Sequence, residues 1–353
     1  MRRVVLTSLA LAALACSDAA DERRVLRVRA GESIAAAIDR AEPGTTIEVE
    51  PGVYHEALVV DTHDITLRGL AGSDGSRPVL DGRGRLADGV IASGSPFTIV
   101  GFSIRRYQAS GVSPQSVRGV TLADLHIEDP GIYGVYPVQA WDAEVRDCVI
   151  SGASDAGIYV GSSNRVKIVG NEVQGNVVGI YIQNTNDAEV RGNHAHDNTI
   201  GVLIGVEPLR VQKSTSRTRL HANRVVSNNH PNFGDRETFV GQLPPGIGVL
   251  VLAADHTTIE GNQVRDNRTM GVGIIALPAL KAALDPDLDP LPDGNRLGSN
   301  QLAGNGVNPQ PPGGPLALPP GALVWDGHGT GNCVEVEVST TPAELPACPA
   351  TTP

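Results

Sequence analysis

Residues 179–198 read GIYIQNTNDAEVRGNHAHDN, with asparagine where a globular core would take leucine. Asn193 lies 22 residues after Asn171, and Asn198 lies 22 after Asn176. Followed outward, the first register runs Phe102, Leu125, Cys148, Asn171, Asn193, Asn223, Asn262 and Asn300, in steps of 23, 23, 23, 22, 30, 39 and 38. Five residues later a second register holds Asn176, Asn198, Asn228, Asn267 and Asn305. A glycine followed by Val or Ile recurs at Gly111, Gly134, Gly157, Gly179, Gly201, Gly248 and Gly271. Self-similarity at 22 or 23 residues marks a solenoid, in which each repeat buries its apolar face only against its neighbours.

Within a repeat the apolar residues alternate, as in Ile168, Val173, Ile180 and Ile182, which is the period of short strands. Several short strands per 22-residue coil describe a parallel β-helix. Each strand then pairs with its copy about 4.8 Å above, and equivalent residues stand in columns. An asparagine column satisfies its own amides from coil to coil, and asparagine at a turn is expected to take the left-handed backbone. The fold expected is all-β, a single-stranded parallel β-helix of about eleven coils over residues 26–332. A short helical cap precedes it, and residues 333–353 form a C-terminal tail or cap.

The irregular steps locate insertions at about 205–218, 229–246 and 277–294. The first and third leave a Gly-Val strand and the second enters one, so all three border one sheet. If Val135, Ile158 and Ile180 face inward, Tyr136, Tyr159 and Tyr181 face out in successive coils and floor a groove between the loops.

The chain has 353 residues, 28 Lys and Arg against 39 Asp and Glu, and a formal charge of -11. Arg2 and Arg3 precede an apolar run from Val4 to Ala15, too short for a stable membrane span and typical of an export signal. Ala13-Leu14-Ala15-Cys16 resembles a lipoprotein lipobox, which implies lipidation of Cys16, a tether over residues 16–25, and a periplasmic or outer-membrane location. Loss of the signal would move the charge to -13 (26 basic against 39 acidic). Such a surface repels nucleic acid and other polyanions at long range, and nucleic acid is not an expected partner. No other apolar run approaches membrane-spanning length, so the lipid is the expected membrane contact. Cys333 and Cys348 are expected to pair in an oxidising compartment, and Cys148, at an apolar repeat position, to be a buried free thiol.

With its asparagine columns and the opening AGESIAAAIDRAEPGTTIEVEPGVYHEALVV, the chain resembles the right-handed parallel β-helix superfamily of pectate lyases and of carbohydrate-binding or sugar-hydrolysing repeat proteins. Ile34, Ala37, Ile38 and Ala41 suit a cap helix laid over the first coil. NNHPNFGD and LPPGIGVLVLAADHTTIEGN resemble a bacterial group of periplasmic β-helix proteins, and the NosD group of copper-maturation proteins is more distantly similar. The resemblance implies a polysaccharide or glycan partner and, if there is catalysis, a polysaccharide lyase or glycoside hydrolase. The NosD likeness implies instead an accessory to a copper or cytochrome system with a periplasmic redox partner.

Candidate residues follow from these loops. Arg210 and the tyrosines would bind substrate. Lys213, Arg217, His230, Asp235 and Arg236 are candidates for acid–base work or for neutralising a uronate carboxylate. His194, His196 and Asp197 could hold Cu or Zn. Asp285, Asp287, Asp289 and Asp293 have the acidic spacing of a Ca2+ loop. Asp61 to Asp64, DTHD, resembles the DPHD of alginate epimerases. Glu144, Lys167, Glu189 and Arg219 read as a cross-strand ion-pair ladder.

Overall fold

The computed structural model describes residues 24–278, 283–309, 318–335, 341–342 and 344–349. The export segment 1–15, Cys16 and the tether as far as residue 23 lie outside the described residues. The first strand, Val25–Val28, starts one residue before the expected boundary and pairs with Thr46–Val49.

A representative coil contains Asn164–Val169, Glu172–Gln174 and Val178–Gln183, which belong to three different sheets. Among the described residues these sheets hold twelve, ten and eleven strands, here called the first, second and third sheets in the order a coil visits them. Each strand pairs in parallel with its equivalents above and below, so one inward column of the first sheet reads Val145, Ile168, Val190, Leu220, Ile259 and Leu297. All six are almost fully buried. Burial of about 1.5–3 kcal/mol per aliphatic side chain, repeated along such columns, is what holds the coils together.

The turn between the first and second sheets is built by the asparagines. Asn171 Nδ2 donates to Asn193 Oδ1 at 2.9 Å, and the same bond joins Asn193 to Asn223, Asn223 to Asn262 and Asn262 to Asn300. Between the second and third sheets, Asn176, Asn198, Asn228, Asn267 and Asn305 are joined likewise at 2.9–3.1 Å. The left-handed backbone is not theirs, however. It falls on the residue before the asparagine, at Gly170, Gly192, Ala222 and Gly261 in the first turn and Gly175, Asp197, Ser227, Asp266 and Gly304 in the second; Ser299, before the last asparagine of the first column, is the exception. The residue before the asparagine turns the chain, which leaves the asparagine side chain aimed along the helix axis.

The glycine column has a steric cause. A Cβ on Gly179 would lie 2.6 Å from the Gly201 carbonyl oxygen and 2.9 Å from Asn198 Nδ2. Neither the backbone of the next coil nor a laddered amide can retreat. Gly179→Ala is therefore expected to destabilise the protein by about 1–3 kcal/mol through overpacking. An unchanged urea midpoint would show that the coils tolerate this spacing.

At the N-terminal end Ile34–Ile38 forms a helix of one turn and a half, capped by the Ser33 hydroxyl and by Glu56, whose carboxylate accepts from Ile34 N and Ala35 N at 3.0 and 2.9 Å. Its buried face is Ile34, Ala37 and Ile38. At the other end the coil continues past residue 332: Cys333–Val334 pairs with Arg296–Leu297, and Cys333 is disulfide-bonded to Cys348. Cys148 is buried and free, and burial pushes its thiol up to about 12, which makes it unreactive.

Glu144, Lys167, Glu189 and Arg219 do stand in one column, but their ions do not pair up it. Glu144 reaches Arg146, Glu189 reaches Arg191 and His221, Arg219 reaches Glu260, and Lys167 has no ion-pair partner among the described residues. Exposed pairs are worth about 0–1 kcal/mol, so solvated side chains choose among several neighbours and register alone does not select one.

Candidate functional site

The site lies on the outer face of the third sheet. Insertion 205–218 leaves strand Ile200–Gly205, insertion 229–246 enters Ile247–Leu252, and insertion 277–294 leaves Met270–Ile275. The first loop is pinned by Asn184, which exchanges bonds with the Glu207 backbone (3.1 and 2.9 Å) and donates to Gln212 O at 2.8 Å. Asn232 ties the second loop by donating to the Val240 and Leu243 carbonyls at 2.8 and 2.9 Å. Phe239, Val240 and Leu243 then pack with Tyr159, Tyr181, Leu203 and Leu250 in a second apolar cluster outside the coil.

Tyr159 stands directly below Tyr181 in the strand register. The rings of Tyr136 and Tyr159 are 4.8 Å apart and those of Tyr159 and Tyr181 5.4 Å apart, and Tyr133 stacks on Tyr136 at 4.3 Å. The expected open groove is not present. Tyr159 and Tyr181 are only 3 % and 2 % exposed, because the second loop's apolar residues cover them. What remains is a pocket of about 360 Å3, lined by Tyr133, Tyr159, Tyr181, Asp155, Glu207 and Arg210, with Glu237 to Val240 at its rim. Tyr136 is not part of the lining and stacks behind Tyr133.

The pocket is chemically asymmetric. Gln183 links two phenols, accepting from Tyr159 and donating to Tyr181 Oη at 3.2 Å, and Tyr181 reaches Glu207 at 3.3 Å. Burial raises all four tyrosines above their usual range, Tyr133, Tyr159 and Tyr181 well above it, so they remain protonated donors. Burial, reinforced by Glu207, brings the Asp155 carboxyl up to about 7. Its Oδ1 is buried with no hydrogen-bond partner. Arg210 contacts Glu207 at 3.3 Å and carries the positive charge of the site. A proton-exchanging carboxyl near neutrality, phenolic donors and a guanidinium thus converge on one cavity.

Of the residues singled out from sequence, Arg210, Tyr159 and Tyr181 line this pocket. Lys213 does not: it pairs with Asp285 at 2.5 Å and ties the first loop to the third. Arg217 is held by Asp187 at 2.6 Å on the first sheet. His230 is turned to the Pro231 carbonyl and Phe233, Asp235 caps Glu237 N at 2.9 Å, and Arg236 is exposed outside the lining. None of these five is part of the lining of this pocket. DTHD lies at the cap end, where His63 bonds Ser95.

The four aspartates of the expected calcium loop are engaged separately. Asp285 is buried and neutralised by Lys213 and Leu209 N, Asp289 caps Leu291 N, Asp293 accepts from Thr330, and Asp287 donates its own N–H to Asp285. The carboxylates of Asp285, Asp289 and Asp293 have different partners, and no three of the four aspartates come together among the described residues. His194 and His196 do come together, and Asp197 bonds His196.

Asp155, Tyr133, Glu207 and Gln183 were missed as site residues. Asp155 carried a signal: its column holds Ile132 in the coil before and Val177 in the coil after, and a carboxylate among aliphatics is out of place.

No curated protein matches the chain. Its fold is similar to the A-modules of two Azotobacter vinelandii mannuronan C-5 epimerases. AlgE4 has 16 % identity and a TM-score of 0.57 over 93 % of this chain and 89 % of that one. AlgE6 has 13 % identity and a TM-score of 0.56 over 92 % and 85 %. DFA-IIIase from Arthrobacter chlorophenolicus A6 is similar at 12 % identity and a TM-score of 0.51, over 88 % and 89 %. At these identities the likeness is one of fold. Residues 88–277, more than half the chain and all of the coils that build the pocket, match the family described as right handed beta helix region, and the chain belongs to that family.

Proposed function

We propose that the pocket binds one acidic unit of a polysaccharide, with the sugar carboxylate against Arg210, and that Asp155 takes the proton α to that carboxylate. The observation that carries this reading is the convergence of Asp155, at about 7, with Arg210 over a floor of protonated tyrosines. Removing such a proton needs a base poised near neutrality and a cation to stabilise the charge that develops on the carboxylate. In an elimination the carbon-bound proton passes to Asp155, the bond to the neighbouring sugar oxygen breaks with its electron pair on that oxygen, and a pocket phenol protonates the leaving group. The similarity in fold to mannuronan epimerase modules supports an acidic polysaccharide as the partner. A pocket of about 360 Å3 suits a single sugar residue better than a long stretch of chain.

Calorimetric titration with uronan and with neutral oligosaccharides tests the reading. Uronan should bind, and Arg210→Ala should weaken it about tenfold or more, since a charge-assisted hydrogen bond is worth about 1.5–3 kcal/mol. Equal binding of neutral glycans, or an unaffected Arg210→Ala variant, would remove the acidic sugar from the proposal. Ultraviolet absorbance of an unsaturated product would separate elimination from binding alone.

A further inference from the structure

A second cluster lies on the outer face of the second sheet, away from the pocket. His194 and His196 occupy alternate positions of strand His194–His196 and point outward on either side of buried Ala195. The strand register sets Glu172 directly beneath His194, one coil earlier. The two imidazoles stack at 4.1 Å, and His196 Nε2 lies 3.2 Å from Glu172 Oε1. Ligand atoms of Glu172, His194 and His196 all fall within 4.8 Å of one another, and among the described residues no other group of three His, Cys, Asp or Glu does so.

We infer that Glu172, His194 and His196 form a site for a divalent ion of the imidazole-preferring class, with Asp197 as the residue that positions His196. Three features argue for this beyond proximity. The donor set, two imidazoles and one carboxylate, is the type that binds Zn2+ with a fourth position left to water. Ligands about 2.0–2.1 Å from a tetrahedral ion are roughly 3.3 Å apart, close to the Glu172–His196 separation, so only the His194 ring has to swing inward. Asp197 Oδ2 lies 2.8 Å from His196 Nδ1, an arrangement that puts the ring proton on Nδ1 and leaves Nε2 as the lone pair facing the site. Asp197 is itself held in the left-handed turn before Asn198, so the asparagine column fixes where its carboxylate points.

The test is a calorimetric titration of Zn2+ into the whole chain, purified without a polyhistidine tag and stripped with a chelator. One equivalent should bind. His194→Ala should weaken binding at least tenfold, Asp197→Asn by about 10–100-fold without loss of any ligand, and His126→Ala, an exposed histidine outside the cluster, not at all. The ligand side chains lie on the outer face of the strand, outside the apolar core of the coil, with Glu172 half-exposed and the histidines more covered, and metal-free melting temperatures should therefore stay close to that of the parent chain. Absence of stoichiometric Zn2+ binding, or His194→Ala binding as tightly as the parent, overturns the site. Asp197→Asn with unchanged affinity overturns the positioning role.

Discussion

Asn193→Ala is expected to lower the unfolding free energy by about 4 kcal/mol, more than most single substitutions of a surface turn in any protein. The Asn193 side chain is an interior link in its column. Its Oδ1 accepts from both Asn171 N and Asn171 Nδ2 at 2.9 Å, and its Nδ2 donates to Ile168 O and to Asn223 Oδ1, again at 2.9 Å. Alanine leaves two donors of Asn171 facing a buried gap, and each stranded polar group costs roughly 1–3 kcal/mol. Asn300 provides the contrast. It ends the same column and is half-buried, so water can take over the bonds its side chain makes to Asn262. Asn300→Ala should cost only about 1 kcal/mol. Urea midpoints of the two variants decide the matter. Equal losses would mean that the column records the fold without stabilising it.

The same geometry explains how much of the molecule was legible beforehand. In a parallel β-helix a residue's neighbours lie one coil away, so a linear step of 22 or 23 becomes a vertical contact, and Asn171 below Asn193 or Tyr159 below Tyr181 follows from subtraction. The step that joins Asn171 to Asn193 also sets Glu172 under His194, a third proposed ligand that was available to the same arithmetic but sits in a stretch of column that changes residue type at each coil, Val149, Glu172, His194 and Arg224. Insertions obey no such rule. Nothing periodic brings Lys213 to Asp285, 72 residues on, or lays Phe239 and Val240 over the tyrosines, and those contacts turned an expected groove into a pocket. The catalytic candidates lie outside the pocket lining for that reason: they were chosen from loop composition, whereas loop residues are aimed by anchors such as Asn184 and Asn232. Asp155, by contrast, sits next to strand Ala156–Gly161, and its misfit among Ile132 and Val177 could have been noticed from the columns alone.

Asp155→Asn is the substitution that should separate function from fold. As the proposed base, Asp155 must be ionised to act, so turnover of a uronan should rise with pH through about 7 in the parent chain. The variant should lose about 10^2–10^4-fold in rate, the range that general base catalysis contributes, while still binding substrate through Arg210. Stability should move the other way. In the unfolded chain this carboxyl titrates near 4, and in the folded chain burial raises it to about 7. The folded state therefore holds the extra proton between those values, and the group's contribution to stability is full below pH of about 4 and declines as the pH rises to about 7. Asparagine has no proton to lose. The variant should match the parent at low pH and exceed it in melting temperature at pH of about 8, where the parent keeps a buried, partnerless carboxylate oxygen. A variant less stable than the parent at high pH would make Asp155 a structural residue. One that is more stable yet inactive would identify the raised carboxyl as strain maintained for proton transfer.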